Sequence, residues 1–77
     1  MTRSRRVLPK YTDFVKEQCR SIFGSQRRLA DQSMLTRQTV SKFLNGGAID
    51  WENFHDLCDL LDIEDWANIS TSEAAGH

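Results

Sequence analysis

The sequence predicts an all-α domain, a compact bundle of about five short helices, and three observations carry that expectation. Apolar residues recur at spacings of three and four along most of the chain, the period of helices that each bury one stripe. No stretch alternates β-branched with polar residues as a half-buried strand does. Residues with helix-start and helix-stop chemistry cut the apolar pattern into short pieces. At 77 residues and 39% hydrophobic content the chain makes one domain with one core.

Residues 1–8 hold Arg3, Arg5 and Arg6 with little apolar surface, and are expected to form a basic flexible arm. The ordered domain is expected over residues 9–69. Pro9 suits the first position of a helix, where its missing N–H is no loss. Tyr11, Val15, Cys19 or Gln18, Ile22 and Phe23 then recur at helical intervals with Phe14 alongside, and Gly24 closes the helix in the left-handed conformation. Ser25 is an N-cap for a second helix, Gln26 to Gln32, with Leu29 and Ala30 inward. After a short break at Ser33 to Leu35, Thr36 caps a third helix, bounded by residues 36–45, with Val40, Phe43 and Leu44 inward and Arg37, Gln38, Ser41 and Lys42 outward. Asn45, Gly46 and Gly47 supply the chemistry of a helix exit. Asp50 is expected to cap a fourth helix, within residues 50–62, that buries Trp51, Phe54, Leu57, Cys58 and Leu61 and turns Glu52, Asp56 and Asp59 to solvent. A last short helix, about Glu64 to Ile69, brings Trp66 and Ile69 to the core, and residues 70–77 read as a disordered tail.

The formal net charge of −1 conceals a partition. All ten Lys and Arg residues lie between Arg3 and Lys42, so residues 1–42 carry +7 and residues 43–77 carry −8. Such asymmetry points to a nucleic-acid or membrane partner for the basic half. No apolar run is long enough to span a bilayer and the first ten residues lack the apolar stretch of a signal peptide, so a cytoplasmic protein with no membrane partner is expected. Cys19 and Cys58 are too few and too far apart for a disulfide framework and fit buried free thiols. His55 and Cys58 lie three apart on one helix, but with only Cys19 and His77 left to complete a site, no metal is expected. The carboxylates of the fourth helix lack an apolar pocket that would raise a pKa, and a chain this small has little room for a substrate cavity. Neither catalysis, nor a cofactor, nor a small-molecule substrate is expected.

The second and third helices are joined by a few residues, the arrangement of a helix-turn-helix, whose second helix enters the DNA major groove. From Gln26 to Gly46 the sequence QRRLADQSMLTRQTVSKFLNG resembles, without a gap, the helix-turn-helix of the Cro and phage-repressor (Xre) type. Leu29 and Ala30 match the Leu-Ala at which the two helices cross, Leu35, Val40 and Phe43 match core positions, and Phe43 to Gly46 matches the exit from the recognition helix. The resemblance runs over about residues 9–69 and implies a lambda-repressor-like fold. Two positions depart from it. Met34 stands where the family has Gly for a turn with positive φ, and Ser33 where it has an apolar residue, so a locally rearranged turn with the tilt of the third helix preserved is expected. The segments at Leu8-Pro9, Ser25-Gln26, Thr39 to Gly46, Asp50 to Phe54 and Asp65 to Ile69 are also similar to a small helix-turn-helix domain at the N-terminus of cyanobacterial signalling proteins, a resemblance that implies an adaptor role as the alternative.

On this reading Arg37, Gln38, Ser41 and Lys42 are the candidates for base edges. Arginine pairs with guanine and glutamine with adenine through two hydrogen bonds each. Gln26, Arg27, Arg28, Thr36 and Asn45 are the candidates for phosphates, Asn45 by its match to the family, and Arg3, Arg5 and Arg6 for a groove-tracking arm. The bland counterparts are a solvated helix face for the first set and a solubilising tail for the arm. The function expected is a sequence-specific regulator of transcription, a repressor or antitoxin-like protein, bound to double-stranded DNA as a homodimer, with Trp66, Ile69 and the acidic helix as candidates for the dimer surface. The alternative is an adaptor module that recruits a protein through the acidic face of residues 50–62.

Overall fold

The computed structural model describes residues 3–73; residues 1–2 of the expected arm and 74–77 of the expected tail, His77 among them, lie outside the described residues. The helices fall in the expected order: a 3-10 turn at Pro9–Tyr11 leads into α1 (Thr12–Phe23), followed by α2 (Gln26–Ser33), α3 (Arg37–Leu44), α4 (Trp51–Leu60) and the one-turn α5 (Trp66–Ile69). Interleaved with them are β1 (Ser4–Val7), β2 (Ile49–Asp50) and β3 (Ser70–Glu73). The molecule is mostly helical, but the small antiparallel sheet corrects the all-α expectation.

Two of the three strands come from the segments expected to be loose. Strand order is β2-β1-β3, so the supposed arm is the central strand: Ser4 faces Asp50 on one side, while Arg5, Arg6 and Val7 face Ser72, Thr71 and Ser70 on the other. Val7 is fully buried, and its strand continues into a hydrogen bond from Leu8 N to Ile69 O of 2.9 Å. Alternation along β1 puts Arg5 on the same face as Val7, toward the helices, and Arg6 on the opposite face. The start of the expected tail is β3. Neither segment has an apolar repeat of its own, because one buried valine and two flanking strands suffice to hold β1 in place.

Two of the three expected N-caps form. Ser25 Oγ accepts from Arg28 N (3.3 Å) and Thr36 Oγ1 from Thr39 N (3.1 Å). Gly24 closes α1 at φ 86°. Asp50 makes no side-chain cap on α4; it is the end of β2, and the Trp51 N–H instead donates to the Arg3 carbonyl at 2.8 Å. The sheet thus takes over the capping that the sequence assigned to a carboxylate.

The core joins the inner stripes of all the helices to the sheet, with Val7, Val15, Leu29, Val40, Phe43, Phe54, Leu57 and Leu61 all completely buried. Phe43 of α3 meets Phe54 of α4 edge to face, ring centroids 5.2 Å apart. Cys19 takes the buried position on α1, while its neighbour Gln18 donates to the Leu61 carbonyl at 3.1 Å. Ile22, expected inward, is 46% exposed, because Phe23 is the side chain of that last turn that packs on the core. Ile69 is buried and Trp66 half-buried against the core, so Ile69 is withdrawn from the expected dimer surface. No helix among the described residues is long and apolar enough to cross a membrane.

Candidate nucleic-acid interface

The pair α2 and α3 presents one polar face and buries the other. Leu29 and Ala30 of α2 and Val40, Phe43 and Leu44 of α3 are in the core. Between them the chain turns at Met34, which adopts φ 62° and ψ 19° and is 91% exposed. The positive φ that the resemblance implies for this position is present. The left-handed conformation is kept with a methionine in it, and the adjacent Ser33 helps to hold it: its hydroxyl donates to the Ala30 carbonyl (3.1 Å) and accepts from the Leu35 N–H (3.3 Å). A polar residue at Ser33 therefore satisfies a turn N–H that an apolar one would leave unbonded.

On α3, Arg37, Gln38 and Lys42 are exposed and Ser41 half-buried. Positions 37, 38, 41 and 42 share one side of the helix. Among the described residues no side-chain hydrogen bond or ion pair is recorded for Arg37, Gln38 or Lys42, so their donors face solvent. They differ in freedom. Arg37 and Gln38 stand exposed in the first turn, whereas the Lys42 stem lies over Gly47, so close that a Cβ there would collide with Lys42 Cγ. That places the Lys42 stem over the C-terminal end of α3, whose dipole favours a cation. The exit itself is a Schellman turn: Gly46 at φ 86° donates to Phe43 O (3.2 Å) and Gly47 to Lys42 O (2.7 Å).

The expected phosphate residues are placed less uniformly. Gln26, Arg27 and Arg28 are exposed at the start of α2, where first-turn N–H groups have no intrahelical acceptor. Thr36 is exposed, but its hydroxyl is shared between the cap on Thr39 N and a 2.9 Å contact with Thr39 Oγ1. Asn45 turns its amide back on its own helix, donating to Ser41 O (2.8 Å) and Ser41 Oγ (3.3 Å). Contact with a phosphate requires those bonds to open. Two basic residues absent from the expected set join this side. Lys16 and Arg20, one turn apart on α1, line a cleft of about 240 Å³ with Ser25 and Gln26 at the start of α2. Their i, i+4 spacing is visible in the sequence, but the neighbour they flank is not.

The three arm arginines do not act together. Arg3 is exposed at the end of the sheet. Arg5 is half-buried: its Nε donates to Ser70 Oγ (2.6 Å), and its guanidinium carbon lies 5.0 Å from the Trp66 ring centroid and 5.9 Å from that of Trp51. The same serine hydroxyl donates to the Trp66 carbonyl. Arg6, half-buried on the other face of the strand, also interacts within the fold. As strand residues, Arg5 and Arg6 cannot reach along a groove as a free arm does. Burial pushes the Cys19 thiol up, and burial with the Asp59 charge pushes Cys58 up to about 12 despite Arg5 nearby, so both stay protonated at neutral pH. Among the described residues no group of three or more metal-ligating side chains forms. Comparison of the chain with protein-family models, curated proteins and solved structures finds no match.

Proposed function

We propose that this chain is a sequence-specific binder of double-stranded DNA, a small regulator of transcription in which α2, the Met34 turn and α3 act as a helix-turn-helix. The observation that carries the reading is the outer face of α3, where Arg37, Gln38 and Lys42 stand exposed and, among the described residues, without side-chain partners, together with the exposed Arg27 and Arg28 at the start of α2. With α3 in the major groove, Arg37 and Gln38 read base edges and Ser41 and Lys42 follow one turn on. Gln26, Arg27 and Arg28, with Lys16 and Arg20 behind them, fix the helix to the phosphates. Thr36 and Asn45 contribute only after giving up bonds they hold in the free protein. Two copies on half-sites about one helical turn apart supply the length of operator that one short helix does not. Residues 50–65 hold seven of the eight acidic side chains after Lys42, and Asp56 and Asp59 share a cleft with Gln32 and Ser33 at the end of α2.

Selection from a random duplex library with purified protein, followed by titration at several salt concentrations, tests the reading. A defined motif is expected, with log K falling linearly in log salt. Arg37→Ala should relax preference at one base pair by roughly 1–3 kcal/mol, and Arg27→Ala should weaken all sequences alike and flatten the salt slope. Binding indifferent to sequence, or unaffected by either change, overturns it. Mass measurement with and without the selected duplex reports the stoichiometry.

A further inference from the structure

Between the inner face of the sheet and the N-terminus of α4 lies a cleft of about 170 Å³, lined by Arg3, Ser4, Arg5, Trp51, Trp66 and Ser72. Its composition is unlike that of the other clefts in the molecule. Two indoles, tilted at 58° with centroids 4.8 Å apart, form an aromatic wall, and both remain only half-buried. Two arginines line the same cleft. Arg5 is held by the rings and by Ser70 Oγ, with weaker 3.4 Å contacts from Nη2 to the Ala67 and Ser70 carbonyls, which leaves its Nη1 without a recorded acceptor. Arg3 is exposed, fixed only through its carbonyl to Trp51 N. Neither Asp nor Glu is among the described residues that line it.

We propose that this cleft is a binding site for a small aromatic carboxylate. An aromatic ring finds apolar contact with the parts of Trp51 and Trp66 left open beside Arg5, and an attached carboxylate finds Arg3 and the spare edge of Arg5, whose N–H donors suit it. The volume is below the 300–1,000 Å³ of sites for drug-sized ligands, which restricts the occupant to roughly a single substituted ring. An acyclic acid forgoes the aromatic wall, and a neutral arene forgoes the charge. The site is separate from α3 and stands or falls without DNA.

The chain has two tryptophans, both in the wall of this cleft, so its indole signals report on no other place. Titration with benzoate, benzyl alcohol and acetate, followed by tryptophan fluorescence excited at wavelengths benzoate does not absorb, provides the test. Benzoate is expected to give a saturable change with a dissociation constant on the order of 1 mM, as befits so small a ligand. Benzyl alcohol and acetate should each bind at least about fivefold more weakly, and Arg3→Ala should weaken benzoate by roughly fivefold, the loss of one exposed charged partner. Both indole N–H resonances should shift in the amide spectrum. No saturable change, equal response to benzyl alcohol, or an Arg3→Ala variant that is folded and binds benzoate unchanged overturns the proposal.

Discussion

Replacing Met34 by glycine is expected to stabilise the protein. Met34 holds φ 62° in the turn between α2 and α3, where a side chain crowds its own backbone. Left-handed backbone costs a non-glycine residue about 1–2 kcal/mol. The side chain is 91% exposed, so deleting it forfeits almost no burial. Against the relief stands the greater freedom of glycine in the unfolded chain, worth about 0.5–1 kcal/mol. The net gain is about 0.5–1 kcal/mol, which for a domain of this length raises the melting temperature by roughly 2–8 °C. Urea denaturation should show a higher midpoint with an unchanged slope, the sign of altered stability without altered compactness. Met34→Ala, which keeps the strain, should lie near the parent, and Met34→Val, with its branched Cβ, below it. A Met34→Gly protein less stable than Met34→Ala would refute the reasoning, since it would mean that the methionine contributes packing or that the turn is not left-handed.

Other substitutions probe the remaining joints. Gly46→Ala combines the same left-handed strain with a Cβ only 3.2 Å from the Val7 carbonyl, so a loss of about 2–3 kcal/mol is expected in the same urea experiment. Arg5→Ala removes the bond to Ser70 and the stacking on two indoles and should lose about 2 kcal/mol, while Arg3→Ala should stay within about 0.5 kcal/mol; equal, negligible effects would restore the flexible arm. Cys58 makes stability fall at high pH. Its folded pKa of about 12 lies above the ordinary 9.0, so the native state retains a proton that the unfolded chain releases. The contribution is complete below pH 9 and drains away as pH rises toward 12, and Cys58→Ala should flatten that decline in denaturation midpoints measured from pH 8 to 11.

The helices were legible because each rests on local signals. Ser25 and Thr36 cap the helices they were expected to cap, Gly24 and Gly46 end theirs in the left-handed conformation, and Val15, Leu29, Val40, Phe43, Phe54 and Leu57 are buried as their spacing required. The candidate face was legible in the same way, since Arg37, Gln38 and Lys42 are exposed wherever α3 packs by Val40, Phe43 and Leu44. The role of Ser33 was not legible, because it lies in two backbone groups brought together by the turn.

What the sequence determined by itself was whatever a few neighbouring residues decide: the helix periods, their caps and stops, and the polarity of each face. What only the tertiary structure decided was everything that joins residues 4–7 to residues 49–50 and 70–73. A strand obtains its hydrogen bonds from partners distant in the chain, so Ser4–Val7 carries no mark of its centrality beyond Val7, and Arg5 reads as an exposed charge until Trp51, Trp66 and Ser70 close around it. The charge partition undergoes the same change of meaning. Three arginines counted toward a mobile cationic arm become one exposed residue and two strand residues, because pairing on both edges of β1 fixes them to the acidic half of the chain.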